Sequence, residues 1–119
     1  MKPHLHAKSS VRQWGGVVAD YLPIHNEIDS SKAAHASMRH RAVFHNAFGI
    51  YVIERIFGTT IENSDGKEVS VRDIAEKHVI EDLGRIPSLD EWLKEMAMQE
   101  WMGRPFKSRK TFNLKEIVD

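Results

Sequence analysis

The chain carries seven histidines in 119 residues and no cysteine, so any reactive or metal-binding centre must be built from imidazole and carboxylate groups. The polar residues of interest are His6, His25, Asp29, Arg39, His40, Arg41, His45, Glu54, His78, Glu81 and Asp82. Imidazoles and carboxylates converging in a helical core are the usual ligands of Zn, Mn or Fe. Helical spacing prunes the set. His45 and Glu54 are nine residues apart, which places them about 180° round a helix and about 13 Å along it, too far to hold one ion. His40 and His45, about 140° apart, are also a poor pair. There is no HExxH and no EF-hand loop. What survives is a site assembled between elements. His45 comes from one helix and His78 with Asp82, four residues apart, from another, while His25 with Asp29, or His6, supplies the rest. The predicted metal set is His25, His45, His78 and Asp82, with a divalent ion as cofactor. Arg39 and Arg41 are the candidate catalytic residues, because a guanidinium fork suits a phosphate group.

Each of these residues also has an ordinary explanation. A His78–Asp82 pair on one helix face is worth a fraction of a kcal/mol, and His45 can be a core histidine bonded to a carbonyl. Ser9, Ser10, Ser30 and Ser31 sit at expected helix starts, where capping accounts for them. No glycine-rich phosphate loop is present. Trp14, Trp92 and Trp101 read as packing anchors, and Lys107 to Lys110 as part of a solvated tail.

The elements that must position the set follow from periodicity. His4 to Trp14 reads as a short helix stopped by Gly15-Gly16, and Val17 to Ile24 as an extended connector in which Pro23 opens a new turn. Asp29 to Gly58 reads as one long helix of about 45 Å, with Met38, Ala42, His45, Gly49, Val52, Ile53 and Ile56 on its inner face and His40 outside. From Val43 onward apolar residues surround the axis, which predicts a buried second half. Thr59 to Val71 alternates around Asn63-Ser64-Asp65-Gly66-Lys67, a hairpin pattern. Arg72 to Leu83 returns to helical spacing, and Ser88-Leu89-Asp90-Glu91 is a capping box opening a last helix that ends near Met98. The expectation is a mainly α fold: a compact bundle of about four helices around one long central helix, with a small β-hairpin at about 59–71. Residues 1–102 form the domain and 103–119 a polar tail.

Composition bounds the partners. Lysine plus arginine equal aspartate plus glutamate at 17 each, so charge argues for neither nucleic acid nor a membrane surface. No apolar run is long enough to span a bilayer, and MKPHLHAKSS has no hydrophobic signal segment. The absence of cysteine makes the cytoplasm the expected compartment.

Several blocks together resemble a family of small uncharacterised phage and prophage proteins, a domain of unknown function: HAKSS at 6–10, DYLPIH at 20–25, RHR at 39–41, then His45, Gly49-Ile50, Glu54, Phe57-Gly58, NSDGK at 63–67, His78-Val79, EDLG at 81–84 and Ile86-Pro87-Ser88 with Trp92. The resemblance covers about residues 4 to 102 and implies a phage-type context without a reaction. The inter-element metal set is itself similar to that of the all-helical metal phosphohydrolases, although the adjacent His-Asp pair that marks many of them is absent. Two functions are therefore expected alternatives: a divalent-metal-dependent hydrolase of a phosphoester or nucleotide, or a non-catalytic binding protein that sequesters or inhibits a host or defence factor. A homo-oligomer is compatible with either. Convergence of His25, His45, His78 and Asp82 favours the first, and dispersed histidines with a flat apolar patch favour the second.

Overall fold

The computed structural model describes residues 1–104, which are mainly helical with one small antiparallel sheet. The seventeen-residue tail expected at 103–119 therefore lies almost wholly outside the described residues. Helix α1 spans Pro3–Trp14, with proline in its first turn, where the missing N–H costs nothing. Gly15 and Gly16 follow at φ 82° and 75°.

Residues 18–28 form α2 (Val18–Ile28) and not a connector. Pro23 lies inside this helix, exposed, and removes one backbone bond at a cost of about 3 kcal/mol. Two effects offset that loss. Asp20 accepts a hydrogen bond from the Val17 amide at 2.8 Å and closes the first turn, and Tyr21, Ile24 and Ile28 are all buried along one face.

The expected long helix is broken. Asp29 caps α2, and a 3-10 turn follows at Ser30–Ala33. A second turn at Met38–His40 leads into the short α3 (Arg41–Phe44), and a regular helix resumes only at α4 (Ala47–Phe57). Polar residues with short side chains make the breaks. Ser37 accepts from the Arg39 amide at 3.2 Å, and Asn46 accepts from the Gly49 amide at 2.7 Å while its own amide donates to the Ala42 carbonyl at 2.9 Å. Such residues offer the backbone an alternative to continued helix. Gly49 permits the corner, since a Cβ there would stand 2.1 Å from the Phe44 carbonyl oxygen. His45, Gly49 and Ile53 face inward as expected, but Met38 and Ile56 do not, and Phe48 and Tyr51 are about half exposed, so α4 is not buried all round.

The hairpin forms from β1 (Thr60–Glu62) and β2 (Glu68–Ser70), with Ile61 opposite Val69. Gly66 has the positive φ, 80°, that its turn requires. Helix α5 (Val71–Leu83) is capped by Ser70 and ends at Gly84 in the left-handed region. The Ser88–Glu91 capping box opens α6 (Leu89–Leu93), which stops well before Met98, and α7 is a single turn at Glu100–Gly103. Buried aliphatic residues of α2, α4, β2 and α5 make the core, among them Ile24, Ile28, Ile53, Val69, Ile74 and Val79. Among the described residues no helix is long and apolar enough to cross a membrane.

Candidate metal centre

At one end of that core the aliphatic side chains give way to imidazoles. His6, His25, His45 and His78 each have no exposed surface, and they come from α1, α2, the end of α3 and α5. The point they share is Asp82, one turn beyond His78 and 1% exposed at its side chain. Its Oδ2 lies 2.9 Å from His45 Nε2 and 3.3 Å from His78 Nε2. Its Oδ1 lies 3.1 Å from His6 Nε2 and 2.6 Å from the Met1 amine. Asp29, the residue that ends α2, brings Oδ1 to 3.3 Å from His78 Nε2 and 3.4 Å from His45 Nε2.

Asp29, His45, His78 and Asp82 thus present two nitrogens and two oxygens, all within 4.8 Å of one another. Ligands about 2.0–2.2 Å from a tetrahedral ion stand about 3.3–3.6 Å apart. Three of the four imidazole–carboxylate edges measure 3.3 to 3.4 Å. The fourth is the 2.9 Å hydrogen bond between His45 and Asp82. The donor set fits a divalent Zn, Mn or Fe ion in type and in spacing.

Behind His78 a hydrogen-bond chain fixes its tautomer. Ser10 Oγ has one proton and donates it to the His6 carbonyl at 3.2 Å, so it accepts from His25 Nε2 at 2.9 Å. His25 Nδ1 is then the acceptor facing His78 Nδ1 at 2.9 Å, and His78 donates there. His78 Nε2 is the nitrogen left for the carboxylates or an ion, the arrangement by which an outer partner sets a ligand's proton. Burial, with the His78 and His6 rings beside it, holds His25 down at about 3, as a neutral ring. Burial also works against a charged His78, but hydrogen bonds to Asp29 and Asp82 outweigh it and raise its pKa. For Asp82, burial pushes upward and the bonds from His45, His6 and His78 prevail, holding the carboxyl well below its usual range. Asp29 is lowered likewise, burial being outweighed by the His78 hydrogen bond.

The predicted set is therefore brought together in part. His45, His78 and Asp82 meet directly, and the expected four-residue facing of His78 and Asp82 is present at 3.3 Å. The His25 ring stands one imidazole further back and does not meet the Asp29 carboxylate, although the Asp29 amide donates to the His25 carbonyl at 3.3 Å. Asp29 takes the fourth position around the cluster. His6, His25 and His78 also lie close enough to be considered as a three-histidine site. However, His6 and His78 are stacked with centroids 3.6 Å apart and planes 22° apart. In-plane lone pairs of stacked rings do not converge on one ion. His6 instead spans two carboxylates, with Nδ1 2.7 Å from Glu81 and Nε2 on Asp82, and Ser9 holds the other Glu81 oxygen.

A cavity of about 550 Å³ opens beside the cluster. Arg41 lines it, with Nη2 3.7 Å from Asp82 Oδ1. Arg39 is exposed and does not line it. His40, expected on the outer face, is 6% exposed and lines the cavity too. The helical break turns it inward, where its Nδ1 donates to Ser31 Oγ at 3.0 Å while that hydroxyl donates to the His40 carbonyl. Lys2, Asn26 and Lys32 complete the polar wall. Neither lysine carries a helical or ligand-spacing signal that sequence alone could have flagged.

Fold and cluster together define a small helical domain with a buried histidine–carboxylate centre. The chain belongs to the family described as a domain of unknown function (DUF6915), whose model matches residues 1–102. No curated protein and no solved structure matches it.

Proposed function

We propose that this is a phage-type, cytoplasmic hydrolase of a phosphoester or nucleotide that depends on one divalent metal ion held by Asp29, His45, His78 and Asp82. The observation that carries the reading is the meeting of two imidazole nitrogens and two carboxylate oxygens at ligand spacing, beside a cavity that Asp29 lines and basic side chains rim. Such an ion supplies a Lewis acid for a phosphoryl oxygen and acidifies water. The protein's own part is orientation. His25 and Ser10 keep the His78 proton on Nδ1, His6 steadies Asp82, and Arg41 stands beside the centre to take negative charge.

Elemental analysis of protein purified without chelators tests this. About one equivalent of Zn, Mn or Fe is expected, together with hydrolysis of an aryl phosphoester that chelator abolishes. His45→Ala should lose the ion, and His35→Ala, at an exposed position away from the cluster, should keep it. A metal-free wild-type protein that takes up no divalent ion ends the hydrolase reading.

The second reading, a non-catalytic binding protein, is favoured by a different observation. Phe48, Tyr51 and Ile56 leave an apolar stripe on the outer side of α4, each 49–54% exposed. Patches of this kind mark interaction surfaces.

A further inference from the structure

The cavity beside the cluster has a charge imbalance that the metal centre does not use. Three basic side chains line it, Lys2 from the start of α1, Lys32 from the first 3-10 turn and Arg41 from α3, beside the Met1 amine that pairs with Asp82. The one carboxylate in the wall is Asp29, whose Oδ1 is turned towards His45 and His78. Among the described residues neither lysine enters an ion pair. Arg41 pairs with Asp82 only at 3.7 Å and, among the described residues, makes no side-chain hydrogen bond, so its fork keeps donors for a ligand. Cations gathered round one concavity repel each other unless an anion joins them, and a guanidinium fork with ammonium groups beside it matches a phosphate of two charges. The volume lies within the span of about 300–1,000 Å³ usual for small-molecule sites, which suits a compact ligand better than a polynucleotide strand. Asp29 and Arg41 belong to the cavity wall and to the cluster at once, so a phosphate seated there abuts the centre.

We infer that this cavity is the seat of a doubly charged phosphate group, the terminal phosphate of a monoester, held by Arg41 with Lys32 and Lys2. The inference deepens the hydrolase reading and rests on it for its catalytic meaning. The seat itself is made of residues that are not metal ligands, so it can be examined with the ion removed.

The test is a titration of the full chain with inorganic phosphate in the presence of chelator, followed by amide NMR shifts. Saturable shifts are expected around residues 26–41. Arg41→Gln and Lys32→Gln should each weaken binding at least about tenfold, as removal of a charge-assisted contact does. Arg55→Gln, on the outer side of α4, should bind as the wild type does. Lys32 is exposed, so its variant carries the test even if Arg41→Gln fails to fold. Methyl phosphate should bind at least tenfold more tightly than dimethyl phosphate. Absence of saturable shifts, indifference to both variants, or equal binding of the two esters overturns the seat. Phosphate binding by a chain that takes up no metal supports the seat and removes only the hydrolase reading. Metal uptake without phosphate binding does the reverse.

Discussion

Asp20 and Asp82 each tie several elements together, and they do so with opposite kinds of donor. Asp20, near the start of α2, accepts from the Val17 amide at 2.8 Å, the Ser64 amide at 2.9 Å and the Ser64 hydroxyl at 2.8 Å, pinning the hairpin turn to the helix. Asp82 is held by three imidazoles and an amine. Amide and hydroxyl protons stay in place at every ordinary pH, so Asp20 is a fixed peg. An imidazole nitrogen can carry a proton or offer a lone pair, so an ion can take the proton's place between the same atoms. Both carboxyls are held below their usual range, Asp20 by the Val17 and Ser64 amides and Asp82 by imidazoles that overcome burial. A lowered pKa is therefore common to a structural and a chemical carboxylate, and the identity of the donors separates them.

The sharpest way to break the comparison is to neutralise each in turn. Asp82→Asn should lower metal affinity by at least about 100-fold, beyond the effect of losing an outer partner. Asp20→Asn should lower the melting temperature and leave metal content unchanged. Loss of metal in the Asp20 variant would show that the two ends are not independent.

Acid should act next, and mainly at the imidazole end. His25 stays neutral in the folded chain down to about 3, against an ordinary value of 6.5. Between those values the unfolded chain binds a proton that the folded chain refuses, so stability falls as pH drops through that window. His78 works the other way. Its raised pKa gives stability that is complete below 6.5 and is lost as pH rises through the folded value. Asp29, Asp82 and Asp20 contribute above their ordinary value of 3.8 and lose that contribution at lower pH. In chelator, melting temperature should decline from pH 6 to pH 4, and His25→Gln should flatten the decline. With metal present, the ion should be released on acidification, because only neutral imidazole binds it. An unchanged slope in the His25 variant would move the acid sensitivity elsewhere.

The smallest effect belongs to the hairpin that Asp20 pins. Gly66→Val places a β-branched residue at φ 80°, with space for the side chain since the nearest atom stands 3.9 Å from its Cβ. The cost should be about 1 kcal/mol, from the backbone alone. Chemical denaturation measures it, and no change would mean that the turn relaxes into another type.

Much of this arrangement was legible in the residues. The hairpin, α1, α5 and the Ser88–Glu91 box follow from turn glycines, period and caps, all of them local signals. His78 with Asp82 follows from four-residue spacing on an uninterrupted helix. The stretch from Asp29 to Asn46 did not, because its apolar residues keep a helical period while Ser37 and Asn46 take backbone bonds away from it. Once that helix is broken, face assignments beyond the break no longer hold, which is why His40 turns inward. Asp29's place in the cluster depends on how α2 meets α5, and no spacing within either segment carries that information.

The broken stretch has a consequence for chain entropy. Residues 29 to 46 contain only two 3-10 turns and one four-residue helix, so little regular backbone bonding restrains them. The candidate donors at 29, 45 and 78 lie 45 − 29 = 16 and 78 − 45 = 33 positions apart. An ion joining them closes both loops, as a covalent cross-link would, and the freedom removed from the unfolded chain grows with the logarithm of loop length. So occupied, the centre would be a clasp on this irregular stretch, and its strength would set how often the stretch opens.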